Sequence, residues 1–287
     1  MSKPLNLSVV GEPLPASRFA CSWRECALYA LGVGETDLRY TWEGHPDFAV
    51  LPSFAVVPTM PAVMAALARV GADLRTLVHG EQILVFHQPM PTRGEWVTDS
   101  VIREVQDKGK GAVVLIDTWT RVGGELLFET TWSIFCRGQG GFGGPRGEAA
   151  TLPEPIEGAT PVLGSRFEVP VHQALLYRLS GDQNPLHIDD ALARAVGFER
   201  AILHGLCTFG YAFRAALAGL AGGAPERIQR FQARFSGVVY PGETIDVSAV
   251  PAQSVAGDDE GLTFRLDAHV QARQVLSHGV VALRPTR

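Results

Sequence analysis

Positive charge is in short supply in this chain. Its 287 residues hold 25 Lys and Arg against 30 Asp and Glu, a formal net charge of −5. Without a basic cluster it should have neither a nucleic-acid partner nor an anionic-membrane partner. No unbroken run of 18 apolar residues occurs, so no membrane-spanning helix is expected. The start, MSKPLNLSVVGEPLP, lacks the basic-then-apolar order of a signal peptide. The end, Pro285-Thr286-Arg287, is not a peroxisomal address. Cysteine is scarce too. Cys21, Cys26, Cys136 and Cys207 show neither CxxC spacing nor disulfide density, so they read as reduced, packed thiols of a cytoplasmic protein. No ligand-spaced His/Cys cluster calls for a metal. Gly32-Val33-Gly34-Glu35 is too short a glycine pattern for a nucleotide loop, so no cofactor is expected.

What the chain does have is apolar residues, 46% of the total with 19% charged, enough for one large domain or two ordinary ones. It also repeats itself. LYALGVGETDLRY (Leu28 to Tyr40) aligns with LYRLSGDQNPLHI (Leu176 to Ile188) at an offset of 148, Tyr29 falling on Tyr177. The same offset carries Gly94-Glu95 onto Gly242-Glu243, and GAVVLID faces GLTFRLD at an offset of 150, Gly111 to Gly261. Three matches in order imply duplication, with units at 1–148 and 149–287. The joint lies in the Gly/Pro-rich stretch from Arg137 to Pro161.

Each unit changes period in the same order. HGLCTFGYAFRAALAGLA (His204 to Ala221) is apolar nearly all round and predicts a buried helix. Strand candidates follow in RIQRFQARFSGVVY, ETIDVSAV, LTFRLDAHVQ and QVLSHGVVALRP, separated by Pro241-Gly242 and Gly257-Asp258-Asp259. The first unit repeats this with PTMPAVMAALARV, then QILVFHQPM, EWVTDSVIREV, AVVLIDTWTR and ELLFETTWSIFCR. A helix wrapped by antiparallel strands is an α+β unit of the hot-dog kind, and two in tandem make a double hot dog.

YRLSGDQNPLHIDD (Tyr177 to Asp190) places Asp182, Asn184 and His187 within six residues. Gly, Asp, Asn and Pro all favour turns, so in isolation the stretch reads first as a polar turn. The repeat is an internal control. Gly34, Thr36 and Arg39 stand where Asp182, Asn184 and His187 stand, while the framework of Leu28, Tyr29, Leu31 and Leu38 is kept. Chemistry is therefore expected in the second unit and scaffolding in the first. The helix starts differ as well: His204-Gly205-Leu206 against Val56-Val57-Pro58. A helix N-terminus offers unpaired N–H groups, and glycine lets a ligand oxygen approach them. His204 either shapes that helix start or simply packs. Asp189 and Asp190 are expected to cap the next helix, Tyr177 to pack, and His79, His87, His172 and His278 to be structural.

YRLSGDQNPLHIDDALA, with ILHGLCTFG and PDFAVLPSFAVVP, resembles the type 2 enoyl-CoA hydratases. These are the MaoC-like, (R)-specific enzymes and the matching domain of peroxisomal multifunctional enzymes type 2, and the resemblance covers nearly the whole chain. It implies hydration of trans-2-enoyl-CoA to (R)-3-hydroxyacyl-CoA, with an acyl-CoA thioester as substrate. By it, Asp182 and His187 form the acid/base pair, Asn184 supports them, and Gly205 N–H binds the thioester oxygen. Which of the pair is base stays open. It also implies a non-catalytic first unit that accommodates the acyl chain. Two other thioester reactions suit the same fold, dehydration on a carrier protein and thioester hydrolysis; a non-catalytic acyl-CoA-binding subunit is the remaining alternative. Hot-dog units pair, so a homodimer is expected.

Overall fold

The computed structural model describes residues 3–148, 151–254 and 261–285. The expected turn at Gly257-Asp258-Asp259 and the final Thr286-Arg287 lie outside them.

The strands are β1 (Ser17–Cys21), β2 (Leu77–Phe86), β3 (Gly94–Asp107), β4 (Gly111–Val122) and β5 (Glu125–Arg137) in the first half. The second half holds β6 (Leu163–Glu168), β7 (Ile228–Phe235), β8 (Thr244–Ala252), β9 (Leu262–Val270) and β10 (Arg273–Leu283). The helices are α1 (Trp23–Gly32), α2 (Leu38–Thr41), α3 (Val56–Val70), α4 (Gln173–Tyr177), α5 (Asp190–Ala195) and α6 (Gly205–Gly219). Strands β4 and β5 alternate buried and half-buried positions, as a period of two demands, and their inward Thr118 and Thr130 hydroxyls hydrogen-bond at 2.8 Å.

All ten strands join one antiparallel sheet, in the order β1-β3-β4-β5-β2-β7-β10-β9-β8-β6. The second half thus repeats the first in mirror order, joined along β2 and β7. In that central pair Ile83 faces Gln232 and Leu84 faces Phe231. Ile83 and Phe231 are equivalent at the 148-residue offset, as are Leu84 and Gln232. The axis relating the halves therefore crosses the sheet between these residues.

Helix α3 packs against β1, β3, β4 and β5, and α6 against β6, β7, β8 and β10. Eleven of the 15 residues of α6 are buried, and Phe209 and Phe213 meet Phe231 edge-on at 4.8 and 5.1 Å. The stretch Pro52–Val70, 19 residues with a window of mean hydropathy 1.5, is long and apolar enough to cross a membrane by length and composition. Ser53, Thr59 and Arg69 had broken it in the sequence. It is the core helix of the first half, with Phe54, Ala55, Ala66 and Val70 wholly buried.

Side chains of the second half clamp the first. Arg214 Nε donates to Glu35 at 2.8 Å and its Nη1 to Val33 O at 3.0 Å. Gln173 Nε2 donates to Leu31 O at 3.0 Å.

Candidate active site

Between α4 and α5 the chain is held by its own side chains. Gly181 takes φ 127°, which ends the helical turn after α4. Asp182 Oδ1 accepts the Asn184 N–H at 3.1 Å, and Asn184 Oδ1 accepts the Leu186 N–H at 3.1 Å. Asn184 thereby caps a 3₁₀ turn, Pro185–His187, with Pro185 at its first position. Asp189 caps α5 as expected, accepting from Ala191 N at 2.8 Å and Leu192 N at 3.1 Å.

These constraints leave Asp182 Oδ2 aimed at His187 Nε2, 3.9 Å away. His187 Nδ1 lies 2.9 Å from Ile202 O, to which it donates, so Nε2 carries the lone pair. Burial lowers the His187 pKa below its ordinary value, against the opposing pull of Asp182. A neutral imidazole and a carboxylate thus face one another across a gap too long for a direct hydrogen bond.

His204 has a definite place. Its ring stacks on His187 with centroids 3.7 Å apart, and its Nε2 donates to Asp182 O at 3.1 Å. It fixes the ring of one residue and the backbone of the other. Burial, helped by His187, pushes its pKa down to about 3, so it stays neutral. Tyr177 packs, buried, against the same His204 ring at 4.8 Å. Donor atoms of Asp182, His187 and His204 all fall within 4.8 Å of one another. His187 Nδ1 and His204 Nε2 are already bonded to backbone carbonyls, which leaves each ring a single nitrogen to offer.

Gly205, exposed, starts α6 beside this pair with no side-chain cap over the helix end. A Cβ there would sit 3.1 Å from the Phe235 ring. Phe235 leans at 4.6 Å on His79, which stacks on Trp132 at 4.8 Å. His79 is half-buried, and its desolvation pushes its pKa down to about 3. The first half therefore supplies the floor beside Gly205. Nothing in the sequence marked His79 for this; the pairing of β2 with β7 puts it there.

The equivalent place in the first half is built differently. Gly34 has φ 73°, and a side chain there would collide with Tyr211, so no carboxylate fits where Asp182 has its counterpart. Helix α3 runs on from a 3₁₀ turn, Pro52–Ala55, and the N–H of Val56 is taken by Ser53 O and Phe54 O. No open helix end is presented there.

Residues 19–138 match the MFE-2 hydratase 2 N-terminal domain and residues 154–267 the MaoC-like domain. The 3-hydroxyacyl-thioester dehydratase Y of Mycobacterium tuberculosis is 39% identical, across 97% of both chains. The chain belongs to the MaoC-like hydratase family. Peroxisomal multifunctional enzyme type 2 of Mus musculus is 35% identical over 97% of this chain, which spans only 38% of that longer protein. A MaoC-like dehydratase from Phytophthora capsici has the same fold, with a TM-score of 0.84 at 28% identity, covering 97% of this chain and 98% of its own. The MaoC-like match falls on the half that carries Asp182, His187 and Gly205.

Proposed function

We propose that this protein is a hydro-lyase that adds water across the double bond of a trans-2-enoyl-CoA, giving the (R)-3-hydroxyacyl-CoA, and catalyses the reverse dehydration. The observation that carries this reading is the 3.9 Å gap between Asp182 Oδ2 and the neutral His187 Nε2. A single water oxygen fits there, hydrogen-bonded to both. The pair takes a proton from that water as its oxygen bonds to C3, and returns a proton to C2 on the same face, so the addition is syn. Negative charge collects meanwhile on the thioester oxygen. The Gly205 N–H meets it, an interaction worth about 3 kcal/mol in the transition state. Asn184 acts through the loop, by holding Asp182 and the turn that bears His187.

The first half is non-catalytic in this reading and accommodates the acyl chain. The exposed Val171, Leu175 and Leu179, in and on either side of α4, support a homodimer contact. Four free, buried thiols support a reducing compartment such as the cytoplasm.

Crotonyl-CoA supplied to the purified protein should lose its enoyl absorbance and yield the (R)-alcohol on chiral analysis. Formation of the (S)-alcohol would overturn the proposal. Release of free CoA would point to a thioesterase, activity on carrier-bound substrate alone to a carrier-protein dehydratase, and no turnover of any thioester to a binding subunit.

A further inference from the structure

The axis that relates the halves carries the acid/base site onto a second location. There the chain has Arg39 in place of His187, Val57 inside a helix that runs on from the Pro52–Ala55 turn in place of Gly205 at an open helix end, and His87 in place of Phe235. A cavity of about 800 Å³ opens at this location, walled by Val50, Pro52, Phe86, Met90 and Pro225. Arg39, Arg227 and Arg284 line it too, with Glu226 and His87. It shares no residue with the Asp182–His187 site. Helix α6 begins at that site and has 15 residues, a length of about 22 Å, and Ala224 to Arg227 follow its far end.

The arginines are held in place without being neutralised. Arg39 Nη1 donates to Gly223 O at 3.0 Å and Arg227 Nη1 to Ala221 O at 3.3 Å. Arg284 Nη1 donates to Glu226 O at 2.6 Å, and its Nη2 to Phe86 O. Among the described residues none of the three forms an ion pair with a carboxylate, and the Nε atoms of Arg39 and Arg227 are buried with no partner. Backbone carbonyls satisfy single N–H groups but bring no full negative charge. His87, by contrast, already pairs with Glu129 at 2.8 Å. Three fixed guanidinium groups among the lining of a largely apolar hollow are matched by an oxyanion on an apolar body.

We infer that this cavity is a second ligand site, in which the counterpart of the acid/base centre has become a receptor for a carboxylate- or phosphate-bearing molecule with an apolar body. The inference stands apart from the hydratase reading, since no atom of the cavity takes part in that chemistry.

Calorimetric titration of the intact protein with decanoate and, separately, with adenosine 3′,5′-bisphosphate tests it and distinguishes the two sources of charge. At least one probe should bind saturably. The double variant Arg39→Gln/Arg227→Gln should weaken that binding roughly tenfold or more, with turnover of crotonyl-CoA unchanged. Because those arginines also tie down loops, Met90→Trp serves as an independent variant that fills the hollow from its apolar wall, and it should block the same probe. Failure of both probes to bind, or unaltered binding by both variants, would overturn the inference.

Discussion

His187 owes its state to three neighbours: Ile202 O fixes its tautomer, His204 covers its ring and Asp182 faces its free nitrogen. Replacing Asp182 by Asn or His187 by Gln keeps the shapes and removes the proton acceptor, so turnover should fall roughly a thousandfold with an unchanged circular-dichroism spectrum. Arg39→Gln is the fair control from the first half and should leave the rate alone. Gly34 is not such a control, because any side chain there strains the backbone and strikes Tyr211. The desolvated histidines also set a pH dependence of stability. His79 and His204 drop from the ordinary 6.5 to about 3 in the folded protein, and His187 is lowered with them. Above pH 6.5 both folded and unfolded chains hold them neutral. As the pH falls from 6.5 towards 3 the unfolded chain takes up protons that the folded one refuses, so stability is lost. Melting temperatures measured between pH 7.5 and 4.5 should be flat at the upper end and decline below about 6.5. His79→Phe, which keeps a ring in the stack, should flatten part of that decline.

Among the elements, α6 does two jobs: its start presents Gly205, and its middle grips the first half through Arg214. Arg214→Ala would leave Glu35, only 13% exposed, without its cation. A cost of about 3 kcal/mol is expected, read as a shift in the urea midpoint at constant m-value. The buried helices and the eight inner strands were legible in the sequence because each is a long apolar-rich run bounded by turn residues, although β7 and β10 do not alternate strictly. Strands β1 and β6 were not. SRFAC and LGSRFE are short, each is paired on one side only, at the two ends of the sheet, and little of their alternation reaches the core. The trio Asp182, Asn184 and His187 could be read because a second copy of the framework lacked it. His204 and His79 could not. A stacking partner has no spacing signature, and a wall supplied by the other half depends on strand pairing across the axis.

At the scale of the molecule, β2 and β7 are neighbours in one sheet, so neither half ends where its chain segment ends. Expressed alone, residues 1–148 or 149–287 would expose a long central strand edge, in β2 with Leu84 and Phe86 turned towards the core. Each half should therefore self-associate or precipitate, while mixing the two should restore a species that co-elutes with the full chain. A clean, folded monomer of either half on size-exclusion chromatography would contradict this.

The same continuous sheet has a bearing on descent. Two separate, identical chains pairing across that seam would have to carry every mutation twice, at both sites at once. With the copies joined in one chain, a change such as Gly at position 34 or Arg at position 39 touches one site and spares the other. A tether of this kind lets one copy change while its sibling is held to its own constraints.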